Sequence, residues 1–233
     1  MKVGSSENQE IFRVNPEYFT LNNEKKKEAL SKLLDWIHEE IKTIKIMNYS
    51  EYQKQAITTK IYKDEVALAY LALGLGGEAA ELFEKIVEQQ ERDTFSVDQL
   101  RLLSKEIGDV FWYLAGLADE TGQDLQEIVQ LSNVERNPLD TEVDAQESLI
   151  IQTGVILEVF KKALRDEYEL TVAKELTPTK LEKINIAIAT IVRELEYLAT
   201  FFGIEIGTIL SQNVEKLQSR ANRGVLGGSG DER

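Results

Sequence analysis

Cysteine is absent from the 233 residues, and histidine occurs once, at His38. A chain so composed offers no disulfide scaffold, no thiol nucleophile, no zinc–thiolate site and no multi-histidine metal site. Any Ser-His-Asp arrangement would have to use that one imidazole. Proline is almost as scarce, at 3, and there are 14 glycines. So little punctuation favours long helices over a many-turned β fold. No uninterrupted run reaches the roughly 18 apolar residues of a membrane span. The opening MKVGSSENQE has no apolar signal-peptide core. The expectation is a soluble cytoplasmic protein with no membrane partner.

What is present is apolar and acidic. Hydrophobic residues make up 42%, enough for a sizeable core in one large domain or two small ones. Against 27 Lys and Arg stand 41 Asp and Glu, a net charge of -14. Such a surface repels the backbone of a long nucleic acid. It can still take a small phosphorylated ligand if hard cations bridge the two negative partners.

The hydrophobic spacing predicts an all-α fold. Residues 23–46 read as a helix in an N-terminal extension, 1–48, with Ala29, Leu30, Leu33, Leu34, Ile37, Ile41 and Ile44 at helical intervals. Further helices are expected over about 50–60, 64–90, 96–121, 125–136, 145–166, 178–202 and 205–222. Ser96 with Gln99 predicts a capping box, Gly122 a helix stop, and Asp124 an N-cap. The polar stretch after Asn137-Pro138, to about Asp144, reads as a linker. Residues 223–233 form a glycine-rich tail.

Two parts of the chain, 49–137 and 145–222, resemble each other. Gly77-Glu-Ala-Ala-Glu-Leu-Phe-Glu-Lys85 matches Gly154-Val-Ile-Leu-Glu-Val-Phe-Lys-Lys162 at an offset of 77. Tyr113-Leu-Ala115 matches Tyr197-Leu-Ala199 at 84, and Asn133-Val-Glu135 matches Asn213-Val-Glu215 at 80. The drift predicts a longer loop in the second copy, around 166–178.

The chemistry-bearing residues are carboxylates. Glu78 and Glu81 lie on one predicted helix, Glu106 and Asp109 on the next, each pair three residues apart and so on one face. In a chain this acidic, such pairs are commonly solvated surface groups. Here, however, Glu78, Glu106 and Asp109 border the apolar stripes of their helices, while Glu81 lies further round. Gly74, Gly76 and Gly77 thin the first of those helices, at a cost of about 1 kcal/mol each. That predicts close approach by another helix or a ligand. Four carboxylates near a core either protonate or are held by cations. Oxygen ligands alone select hard ions, Mg²⁺ or Mn²⁺.

Three stretches together carry a resemblance. Glu51-Tyr-Gln-Lys-Gln-Ala56 is followed by Tyr70-Leu-Ala-Leu-Gly-Leu-Gly-Gly-Glu-Ala-Ala-Glu-Leu82, and then by Lys105-Glu-Ile-Gly-Asp-Val-Phe-Trp-Tyr-Leu-Ala115. This resembles the MazG-like all-α nucleoside triphosphate pyrophosphohydrolases, whose pattern is E-x-x-E, a gap, then E-x-x-D. Here 24 residues separate Glu81 from Glu106. The ending from Asn213 to Arg233 resembles the tail of small family members.

The resemblance implies a helical bundle of that type and a reaction: NTP or dNTP and water giving NMP and pyrophosphate, in cleansing of nucleotide pools. It implies Glu78, Glu81, Glu106 and Asp109 as ligands of Mg²⁺, with Mn²⁺ as the other hard ion, and Glu81 as a catalytic group orienting the water. Tyr113 matches a position near the nucleotide, and Asn133 one near base or sugar. Lys85 is a phosphate contact or an exposed helix lysine. Arg220, Arg223 and Arg233 belong to a tail that closes on the phosphates or is simply a free end. In the second copy Val155, Glu158, Thr190 and Arg193 stand where Glu78, Glu81, Glu106 and Asp109 stand in the first. That copy is therefore expected to act as a built-in dimer partner without metal, and a further homodimer of fused chains stays open. A dUTP- or dCTP-specific relative, a phosphoribosyl-ATP pyrophosphatase-like enzyme and a non-enzymatic helical interaction module are the alternatives.

Overall fold

A computed structural model describes residues 47–90 and 96–227. The predicted helix over 23–46, His38 and Arg233 lie outside those residues. The described fold is all-α: eight α-helices and two single 3₁₀ turns, with no strand among the described residues. The helices are α1 (Tyr49–Ala56), α2 (Ala67–Gln90), α3 (Val97–Glu120), α4 (Leu125–Leu131), α5 (Glu142–Asp166), α6 (Tyr168–Val172), α7 (Pro178–Phe201) and α8 (Ile206–Asn222).

Their ends follow local chemistry. Asn48 caps α1 by accepting from the amide of Glu51. Ser96 and Gln99 form the expected capping box on α3. Gly122, at φ 69°, turns the chain out of α3, and Asp124 caps α4 through the amides of Gln126 and Glu127. Two expectations shift. The helix placed at 125–136 ends at Leu131, because Ser132 returns its hydroxyl to the Ile128 carbonyl and Asn133 adopts φ 49°. The segment read as a loop at 166–178 contains α6, whose five residues are too few for a hydrophobic period to register.

Two long hairpins form the core. In one, α2 packs on α3, and in the other, α5 packs on α7; α2 also lies against α5. Leu71, Leu75, Leu82, Ile107, Phe111, Leu114, Ile156, Phe160, Ile188 and Leu195 are fully or almost fully buried between them. By length and composition the stretch Asp64–Glu88 would suffice to cross a bilayer. Here its Leu68, Leu71, Leu75, Leu82 and Ile86 face protein neighbours, and Glu81, Glu84 and Glu88 occupy its exposed side.

The short helices are exchanged between hairpins. α4 packs on α7, while α8, at the far end of the chain, packs on α3 and α1. Arg136, just after α4, ion-pairs with Glu194 of α7 at 2.9 Å and stacks over Tyr197 at 3.4 Å. Its guanidinium also donates to the carbonyls of Asp140 and Thr141, which fixes the linker. Beyond α6, Lys174 pairs with the buried Glu120, which also accepts from Lys60 at 3.1 Å and Tyr62 at 3.0 Å. The second hairpin is thereby tied to the end of α3.

Candidate metal centre

Close packing sets the register of the α2–α3 hairpin. A Cβ on Gly74 would lie 2.0 Å from the ring of Tyr113, and one on Gly116 would lie 2.6 Å from Leu71. At Gly74 a side chain would overlap the tyrosine ring, and at Gly116 the Leu71 methyl would have to move aside. Continuing this antiparallel register brings Glu78 level with Asp109, and Glu81 level with Glu106. Of the other two glycines in the run, Gly76 faces Leu157 of α5 at 3.3 Å, but Gly77 faces open space. The expectation of close approach thus holds at two of the three.

Carboxylate oxygens of Glu78, Glu81 and Glu106 all lie within 4.8 Å of one another. Glu106 is buried, Glu78 half-buried and Glu81 exposed at the mouth. The Glu78 carboxyl is pushed up to about 7, first by burial and then by the charges of Asp109, Glu81 and Glu106. Excess negative charge at that density fits a divalent cation, and the all-oxygen donor set fits a hard one.

Asp109 stands beside this group with its carboxylate turned to α8. Both of its oxygens accept from Lys216 Nζ, at 2.6 and 2.7 Å, and one accepts from Asn213 Nδ2 at 2.9 Å. Asn213 is itself fixed. Its Oδ1 accepts from the buried Tyr52 hydroxyl at 2.8 Å, and a Cβ on Gly108 would come within 2.9 Å of it. The second part of the chain therefore contributes directly to the carboxylate site of the first.

An aromatic wall adjoins the glutamates. The Tyr113 ring lies 4.9 Å from Trp112 and 6.1 Å from Tyr70, which is 5.2 Å from Tyr62. Burial, then the hydrogen bond with Tyr70, holds the Tyr113 hydroxyl protonated. The remaining candidates are dispersed. Lys85 pairs with Glu88 at 3.3 Å. Asn133 is exposed in the turn after α4; the asparagine that reaches the site is Asn213, which donates to Asp109. Arg220 is buried in the last turn of α8, where the helix backbone denies it a tail's freedom, whereas Arg223 is exposed at the C-cap. In the second hairpin Glu158 is bound by Lys161 and Lys162, and Arg193 by Glu196.

Lys216 was the residue missed by sequence reasoning. The available signal was its spacing: Asn213 and Lys216 are three apart on a helix and share a face.

A stretch of 85 residues is 31% identical to the gene 37 protein of Mycobacterium phage L5 and covers 36% of this chain and 70% of that protein. The chain belongs to the family of that phage protein. The relative's name states no activity. No family model matches the chain, and no solved structure does.

Proposed function

We propose that this member of the phage gene 37 family is a Mg²⁺-dependent nucleoside triphosphate pyrophosphohydrolase of the MazG-like kind, built from two fused copies of which the first is active. The observation that carries the reading is the gathering of Glu78, Glu81 and Glu106 within 4.8 Å, with Asp109 alongside. These are the residues that the E-x-x-E and E-x-x-D pattern designates, brought together from two helices.

In this reading Glu78, Glu106 and Asp109 hold the cation, and Glu81 at the exposed mouth completes the set and orients a water. Bound Mg²⁺ would neutralise the triphosphate and make that water more acidic. The water oxygen forms a bond to the α-phosphorus as the bond from that phosphorus to the bridging oxygen breaks. The water proton passes to a carboxylate, and pyrophosphate leaves. Tyr113 and the wall of Tyr70 and Trp112 present an aromatic face for the nucleoside.

The test is pyrophosphate release from each NTP and dNTP with Mg²⁺, using the wild type and Glu106→Gln. Release by the wild type, at least about 100-fold slower in the variant, is expected. No release from any nucleotide would exclude the reading.

A further inference from the structure

Asp109 is the one carboxylate of the four that lies outside the glutamate cluster, and its two partners differ in freedom. Asn213 is buried, packed against Gly108 and hydrogen-bonded by Tyr52. Lys216 sits at the end of a four-carbon stem with a side chain 16% exposed. Its stem borders a groove of about 860 Å³ between α3 and α8, which Arg101 and Lys105 also line. The acids in that groove are Glu205 and Glu215. Glu205 is committed to the N-cap of α8, with the amides of Gly207 and Thr208 at 2.9 and 2.6 Å.

We infer that Lys216 is a resident counter-cation that Asp109 exchanges for a divalent ion. Asp109 has two oxygens, and both are on the ammonium. A divalent ion shared by Asp109 and the glutamates needs at least one of them. Two cations within a few ångströms repel, so loading of the ion releases Lys216. The stem then carries the ammonium toward the groove, whose wall includes the carboxylate of Glu215. Asn213 keeps its grip through the exchange, so Asp109 stays in position while its charge partner changes. The released ammonium meets the phosphates of the incoming nucleotide. This last step rests on the pyrophosphohydrolase reading; the exchange itself does not. Because α8 closes the chain's second part, loading of the metal in the first hairpin alters a contact with the second.

The experiment titrates Mn²⁺ alone into the full chain, without nucleotide, and compares the wild type with Lys216→Met, Lys216→Gln and Lys105→Met. Removing the competing cation should tighten Mn²⁺ about fivefold in both Lys216 variants. Lys105→Met removes an equal charge from the same groove without touching Asp109, and should change Mn²⁺ affinity less than twofold. Both Lys216 variants should also melt earlier without metal and gain more on adding Mn²⁺. Unchanged or weaker Mn²⁺ binding in the Lys216 variants overturns the exchange. So does equal tightening in Lys105→Met, which would reflect general charge alone. Absence of Mn²⁺ binding from every protein removes exchange and metal centre together. Mn²⁺ exchange without hydrolysis of any nucleotide would leave the exchange standing and exclude the hydrolase.

Discussion

Glu78 concentrates the electrostatic tension of the site. Its proton is held up to about 7 in the folded chain, against 4.5 for an ordinary glutamate. The folded state binds that proton more tightly than the unfolded state. The resulting stability is complete below about pH 4.5 and is lost as pH rises to about 7. A divalent ion bound as proposed would compete with the same proton, so the gain in melting temperature on adding Mg²⁺ should be larger at pH 8 than at pH 6. Calorimetry at both values checks this; a larger gain at pH 6 would refute it. On the proposed pyrophosphohydrolase reading, Asp109→Asn should abolish turnover with the fold intact, as judged by circular dichroism. Glu158→Gln should leave turnover within about twofold, because Lys161 and Lys162 already occupy that carboxylate and its three companions are absent. Tyr52→Phe removes a fully buried donor to Asn213 and should cost about 1 kcal/mol, read in a urea melt.

Among the elements, the junction between α6 and α7 shows how a loop acquires a fixed place. Lys174, at φ 63°, delivers its ammonium to Glu120, whose side chain is 2% exposed. Lys60 and Tyr62 converge on the same carboxylate. Glu120→Gln leaves two lysines without their shared counter-charge. Both lysines are partly exposed, which moderates the loss to about 2 kcal/mol of stability. Chemical denaturation of the variant measures it directly, and a change below about 0.5 kcal/mol would show the cluster to be incidental.

For the whole molecule, the exchanged helices make the two hairpins interdependent. α4 reaches α7 and pins it through Arg136 and Glu194, while α8 reaches α3 and pins it through Lys216 and Asp109. A fragment ending at Asp140 would lack α5 against α2 and α8 against α3, leaving the faces of α2 and α3 that they cover open to water. That fragment should be largely unfolded at 25 °C, and adding the separate fragment 141–227 should restore its helical signal and its Mn²⁺ binding. A fragment that folds and binds alone would show that the first part needs no partner.

Helical periodicity, scarce proline and the caps at Ser96 and Asp124 were enough to determine an all-α chain and most helix positions, because those signals act over one or two turns. The four carboxylates were legible for the same reason: spacings of three residues fix a helix face, and acidic side chains stand out against apolar stripes. Tertiary structure decided which of them meet. The Gly74–Tyr113 and Gly116–Leu71 contacts set the hairpin register that gathers Glu78, Glu81 and Glu106. It also decided that Asp109 faces α8, because Lys216 lies 107 residues away in sequence and no local pattern reports a partner at that distance. For the same reason Asn213, rather than Asn133, reaches the carboxylates: the two asparagines have like local sequences, and only the packing of α8 on α3 tells them apart.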